Sequence, residues 1–479
     1  MNTSMIGYTL GRVLKLEGYF MIPSALTAIL YGEDAVWAFL ISMALCMGSG
    51  HLMARKRPEN RVFYVREGFV SVALSWIGLS VMGGIPFLLT GVLTHPVDAL
   101  FETVSGFTTT GASVIADVEA IPKSVLFWRS FTHWIGGMGV LVFLLTILPM
   151  DGGSYMNLMK AESPGPQVSR LVSSAKSTAK ILYGIYIVMT LIQVAFMLAG
   201  RIPLFDALTL TFGTAGTGGF GIKNDSMAGY STYIQVVVTI FMILFGVNFN
   251  VYFFLLMRKA KQALQMEEVW WYFIIIAFSI LTITCNIRGF YGSTQESLLQ
   301  AAFQVGSIIT TTGYSSCDFN LWPELSRTIL VLLMLIGACA GSTGGGIKVS
   351  RLILLVKTVH KELHQFLHPR SIRKIQIDGK PVPHEVVRMT NVYMVVYILI
   401  FAGSVLLLSL DELDLITNFT AVAATFNNIG PGLNIVGPSA NFSVFSTLSK
   451  LILSFDMLAG RLEIFPLLLL FVKDTWKKF

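Results

Sequence analysis

Long apolar runs separated by short polar connections dominate this chain, and their arrangement repeats. An apolar stretch at about residues 18–31 and a second at about 35–53 predict an N-terminal pair of spans. The first is short for a bilayer crossing, and Lys15 can lengthen it by snorkelling to the surface. Beyond Arg66 a four-part pattern recurs about every hundred residues: apolar run, short apolar segment, glycine-centred turn, second apolar run. The short segments fall at residues 97–106, 204–212, 295–307 and 414–425. Each is well under the roughly 20 residues that cross a bilayer and suits a re-entrant half-helix. The turns that follow are Thr108-Thr109-Thr110-Gly111, Thr217-Gly218-Gly219-Phe220, Thr310-Thr311-Thr312-Gly313 and Asn427-Asn428-Ile429-Gly430.

This pattern predicts an all-α polytopic membrane protein. Four pseudo-symmetric units of span, half-helix and span surround one pore, with two further spans at the N-terminus. The sum is ten spans and four re-entrant helices. The predicted divisions are residues 1–66 for the N-terminal pair, then 67–155, 156–262, 263–362 and 363–479 for the four units.

Composition supports a membrane protein: of 479 residues 54% are hydrophobic and only 13% charged, where soluble domains carry about a quarter. The net charge of +7 reports topology rather than a nucleic-acid site. Basic connections (Arg55-Lys56-Arg57 to Arg66, Arg258 to Lys261, Lys357 to Lys374, Lys473 to Lys478) alternate with acidic ones (Glu33-Asp34, Asp98 to Glu102, Asp117 to Glu119, Asp411 to Asp414). The positive-inside bias then places both termini and a basic, proline-containing loop at about residues 361–388 in the cytoplasm. Cys46, Cys285, Cys317 and Cys339 form no metal-binding spacing; Cys285 and Cys317 both fall on the predicted outer side, but nothing in the sequence supports a bond between them. The first apolar run has no recognisable cleavage site and reads as a retained span.

The turns carry the chemistry. A cation in a narrow pore exchanges hydration water for oxygen ligands, and rings of backbone carbonyls supply them. Glycine adopts the required backbone angles readily, threonine hydroxyls can add oxygens, and each half-helix points its negative end towards the axis. The candidate potassium filter is therefore Thr109, Thr110, Gly111, Thr217, Gly218, Gly219, Thr311, Thr312, Gly313, Asn428, Ile429 and Gly430, and those positions are the only metal site expected. Asp98, Glu102, Asp206, Asp318 and Asp414 either concentrate cations at the outer mouth or simply solvate loop ends.

Two glycine-rich stretches mimic nucleotide motifs. Residues 216–221 match G-x-G-x-x-G without a βαβ unit, and residues 341–348 resemble a phosphate loop whose spacing is wrong. The latter, with Gly341, Ser342, Thr343, Gly344, Gly345 and Gly346, breaks the third unit's second span near mid-membrane. Irregular backbone at that depth needs a protein or water-filled surround, so the stretch is a candidate gate below the filter, with close helix packing as the alternative. Arg461 lies within the last span, either as a cationic barrier in the pore or paired with Glu463, Asp456 or an acid on another span. No Ser/His/Asp constellation or metal cluster is evident, so neither an enzyme nor a cofactor is expected.

Taken together, these residues resemble the Trk/Ktr/HKT superfamily of potassium transporters, most closely its bacterial TrkH branch. The most specific pieces are Phe127-Trp-Arg129-Ser-Phe-Thr-His133-Trp-Ile-Gly-Gly-Met-Gly139, the four turns, residues 341–348, Asn428-Ile-Gly-Pro-Gly432 and Gly460-Arg-Leu-Glu463. The resemblance implies potassium uptake through a filter centred on Gly111, Gly219, Gly313 and Gly430. It also implies a gate of residues 341–346 with Arg461, and a homodimer in a prokaryotic plasma (inner) membrane. A cytosolic RCK-type, TrkA-like subunit would bind the regulatory nucleotide. Glycine in all four filters is associated in that superfamily with selection of potassium over sodium. A sodium- or proton-coupled symporter on the same fold is the alternative. His133 and Gly221 depart from the usual glutamine and serine: the first reads as a packed polar residue, with mild pH sensitivity as the alternative, and the second opens a change in filter geometry.

Overall fold

The computed structural model describes residues 1–56, 58, 64–137, 139, 175–371 and 373–477. Arg57, Arg61, Met138, the rest of the first unit's second run, the division at 155/156 and Lys478 lie outside them. The described chain is almost entirely helical, with one two-stranded hairpin pairing Gln376–Ile377 with Lys380–Pro381.

Four short helices stand where half-helices are expected: Pro96–Phe107, Leu204–Ala215, Thr294–Ile309 and Leu415–Phe426. A 12-residue helix rises about 18 Å, short of an approximately 30 Å hydrocarbon core. Proline or a capping residue begins three of them: Pro96 in the first turn, Pro203 before Leu204, and Asp414, whose carboxylate accepts from the Thr417 amide at 2.9 Å. Their polar side chains turn back on their own backbone, as when Thr103 donates to Ala99 O at 2.6 Å and Thr425 to Ala421 O at 2.8 Å. That satisfies hydroxyls in a buried setting.

Six helices among the described residues are long and apolar enough to cross a membrane: Thr3–Tyr31, Val36–Met53, Val65–Leu89, Ala179–Ala199, Glu267–Tyr291 and His384–Asp411. Leu30, Phe278 and Leu399 point outward from them, 82%, 68% and 67% exposed, as lipid-facing side chains do. The first span starts at Thr3, not near residue 18, because Glu17 is buried within it and hides the run from a hydropathy reading. It crosses Val36–Met53 at glycines, where a Cβ on Gly11 would press the Gly50 carbonyl oxygen at 2.8 Å, the close approach small residues allow.

The second spans differ from continuous helices in more units than expected. In the second unit Thr232–Phe245 and Phe249–Leu256 meet at 87°, where Gly246 ends one helix and the Asn248 side chain caps the next by accepting from Asn250 N at 3.0 Å. In the third, Glu324–Ile336 gives way to irregular backbone before Val349–Leu367. In the fourth, Thr447–Arg461 stops at Glu463 and Ile464, which adopt φ of 53° and 70°. Arg461 thus ends a helix rather than sitting inside one. The loop expected at 361–388 is also shorter, since helix Val349–Leu367 covers its start and His384–Leu408 begins before its end.

Candidate functional site

The four turns share one backbone. The residues Thr109, Thr217, Thr311 and Asn428 have φ of 57°, 53°, 57° and 56°, and Gly111, Gly219, Gly313 and Gly430 have 82°, 78°, 85° and 103°. The residue between keeps negative φ, and this alternation turns successive peptide groups to one side. Each turn also ends its half-helix in the same way. Thr110 N donates to Ser105 O, Gly218 N to Gly213 O, Thr312 N to Ser307 O and Ile429 N to Ala424 O, at 2.7–2.9 Å.

The turns close head to tail. A Cβ on Gly111 would overlap the Gly218 carbonyl oxygen, one on Gly219 that of Thr312, and one on Gly313 that of Ile429. One on Gly430 would come 2.8 Å from the Thr110 oxygen. Those four oxygens belong to the residue before each glycine, so the contacts form a closed ring in chain order. A recess of about 170 Å³ is lined by all four glycines.

Threonine hydroxyls brace the ring rather than line it. Thr108 and Thr110 hydroxyls lie 2.8 Å apart, and those of Thr310 and Thr312 2.7 Å apart. Thr109 and Thr217 donate to the preceding carbonyl, at 2.7 and 2.6 Å. Asn428 Nδ2 donates to the Thr110 hydroxyl and to Met457 O, both at 2.9 Å, tying the fourth turn to the first. Tyr314 reaches from the third unit to Leu210 O of the second at 3.1 Å.

Residues 341–346 lie directly against the half-helix side of the ring. Gly345 N donates to the Thr311 hydroxyl at 2.6 Å. A Cβ on Gly344 would sit 2.8 Å from Thr310 O, and one on Gly345 3.1 Å from the Asn428 Cβ. Gly341 and Gly346 have positive φ, and Lys348 Nζ donates to Gly344 O. Ser342 donates to Cys339 O at 2.6 Å, and Thr343 to Phe245 O at 3.3 Å. Arg461 reaches the same place: Nη1 donates to Thr343 O at 2.9 Å, and Nη2 donates to Gly137 O at 2.8 Å and to Gly136 O. Glu463 pairs with Arg351 instead, and Asp456 accepts from Ser404 at 2.8 Å. All nineteen sequence-predicted positions are therefore brought together, twelve in the ring and seven beneath it.

The acidic residues behave differently from the expectation of an acidic mouth. Glu102 is fully buried, accepting from Arg129 Nε at 2.6 Å and from Val114 N at 2.9 Å. Asp98 pairs with Lys450 at 2.7 Å, Asp206 accepts from Tyr230 at 2.9 Å, and Asp318 and Asp414 cap neighbouring turns. These groups organise loops around the ring. Cys285 and Cys317 are free thiols.

His133 is a packed bridge. Its Nδ1 lies 2.7 Å from Gly106 O and its Nε2 accepts from Phe220 N at 3.2 Å, linking the first half-helix to the second turn. The Gly221 carbonyl accepts from Arg129 Nη1 at 2.8 Å. Replacing His133 with alanine leaves the buried Phe220 amide unpaired, while Gly106 O keeps the Thr109 amide at 3.1 Å, an expected loss of about 1–3 kcal/mol. Thermal unfolding in detergent should show a lower midpoint, and an unchanged midpoint would contradict the bridging role.

Among the described residues no three His, Cys, Asp or Glu side chains converge to hold a metal. The atoms that meet around the ring are backbone carbonyl oxygens. A family model described as TrkH, cation transport protein, matches residues 36–288 and 264–478. The chain belongs to the TrkH family. This is a family of transporters, not enzymes. The potassium uptake protein TrkH of Halomonas elongata is 34% identical over 486 residues, covering 100% of both chains. That of Escherichia coli is 33% identical over 474 residues and 97% of each. The crystal structure of the potassium transporter TrkH from Vibrio parahaemolyticus superposes with a TM-score of 0.89 at 32% identity, over 100% of both chains.

Proposed function

We propose that this chain takes up potassium ions through a channel-like pore in a bacterial inner membrane. The observation that carries the reading is the closed ring of four equivalent turns, with the carbonyls of Thr110, Gly218, Thr312 and Ile429 at equivalent places. The ring residues form the selectivity filter, one turn from each of four units divided near residues 66, 155, 262 and 362. In this reading the chain makes ten crossings with four re-entrant half-helices, and both termini lie in the cytoplasm. Residues 341–346 and Arg461 form the gate, and the membrane potential draws the ion inward with about 2.3 kcal/mol per charge per 100 mV.

Control comes from a cytosolic nucleotide-binding subunit of the RCK type, for which the basic surface at Arg370, Arg373 and Lys374 is the docking region. The protein works as a homodimer. Val356, Val359, Leu363 and Phe366 are exposed on one helix at alternating spacings of three and four, the seam two copies would pack.

The test is rubidium flux in liposomes holding the purified protein. A passive pore carries rubidium only down its electrochemical gradient, with sodium competing weakly. Accumulation against that gradient, driven by sodium or protons, would replace this reading with coupled symport.

A further inference from the structure

We infer that Glu268 is the clamp that holds the glycine-rich segment against the filter, a positioning residue rather than part of the ion path. The inference rests on the reading of residues 341–346 as the gate.

Glu268 stands in the first turn of helix Glu267–Tyr291 and is only 5% exposed. One carboxyl oxygen, Oε1, accepts from Ala340 N at 2.6 Å and from Ser350 N at 3.0 Å. Ala340 immediately precedes the segment, and Ser350 opens the helix that follows it. A single oxygen therefore pinches the two ends of the loop together. The other oxygen, Oε2, accepts from Asn248 Nδ2 at 3.4 Å. Asn248 caps the helix after the break in the second unit, where Phe249 N donates to Gly341 O at 3.0 Å and Cys339 N to Gly246 O at 3.1 Å.

A carboxyl group at this depth carries a desolvation cost that an apolar residue would avoid. Its hydrogen bonds go to the two flanks of the segment and to the neighbouring break. Between those flanks the backbone has positive φ at Gly341 and Gly346, so the loop has no helix ladder to hold it. Hydrogen bonds to a carboxylate are stronger than neutral ones, and losing two frees both hinges together.

The test compares the full-length protein with Glu268→Ala, Glu268→Gln and a deletion of residues 341–346, each reconstituted without any regulatory subunit. Glu268→Ala should raise passive rubidium flux about tenfold, the equivalent of about 1.4 kcal/mol in the closed–open balance. Glu268→Gln, which keeps one acceptor oxygen, should raise it less. The rubidium-to-sodium ratio should stay constant, because Glu268 does not touch the ring. Amide hydrogen exchange should quicken at residues 338–350 and not at 305–315. If the deletion raises flux and Glu268→Ala does not, the clamp is overturned and the gate stands. If neither raises flux, the gate reading itself is overturned. Should Glu268→Ala not fold, unchanged exchange at 338–350 in both Glu268→Gln and Asn248→Ala overturns the clamp.

Discussion

Gly313→Ser is expected to lower the potassium-over-sodium flux ratio by about tenfold or more, with total flux falling as well. Gly313 has φ of 85°, and a Cβ there would overlap the Ile429 carbonyl oxygen. A left-handed non-glycine residue costs about 1–2 kcal/mol, and the overlap adds to it. The chain relieves both by moving the Thr312–Gly313 peptide or by displacing Ile429. Either movement alters the spacing of the ring oxygens, on which discrimination between ions rests in the proposed filter. A change of about 1.4 kcal/mol in one ion's relative stability is a factor of ten. Gly403→Ser is the control: no atom lies within 4 Å of its Cβ position and its φ is not positive. Competition of sodium against rubidium in liposomes reads both variants. An unchanged ratio in Gly313→Ser would remove the ring from the selectivity mechanism.

Arg461→Ala should raise passive potassium flux by about tenfold or more while leaving the ion ratio alone. Two effects act in the same direction. The guanidinium places a positive charge beside residues 341–346, and at an effective dielectric of about 20, two unit charges about 8 Å apart repel by about 2 kcal/mol. The same group also bonds Thr343 O and the Gly136 and Gly137 carbonyls, so its removal releases the segment from the first unit. Arg461→Lys separates the two effects, since it retains the charge and loses the planar fork. Its flux should fall between the parent and the alanine variant. Single-channel conductance or liposome flux decides the matter, and equal flux in all three forms would exclude Arg461 from gating.

The four turns were legible in the sequence because their chemistry is local. Glycine at 111, 219, 313 and 430 answers a backbone requirement that a single residue can meet, and the preceding apolar segments announce half-helices by length alone. Residues 341–346 were legible for the same reason. The breaks in the second and fourth units were not, since Gly246 with Asn248, and Glu463 with Ile464, are ordinary residues within apolar surroundings. Only the packed structure reveals that φ turns positive at 463 and 464.

Charges were the hardest to read. Glu102 resembles a loop carboxylate until Arg129 is found against it. Glu463 stands two residues from Arg461 yet pairs with Arg351, 112 positions away. Glu17 interrupts an apolar run that nevertheless forms one helical span from Thr3 to Tyr31. In each case the partner or the burial is tertiary, and spacing along the chain carries no trace of it.

The central claim is that four segments of one chain coordinate a monovalent cation on a common axis. Crystals grown or soaked in rubidium or thallium salts test it directly through anomalous scattering. Peaks are expected on the axis encircled by the carbonyls of Thr110, Gly218, Thr312 and Ile429, lost or displaced in Gly313→Ser. An occupied cation site elsewhere in the membrane region with none inside the ring would contradict it.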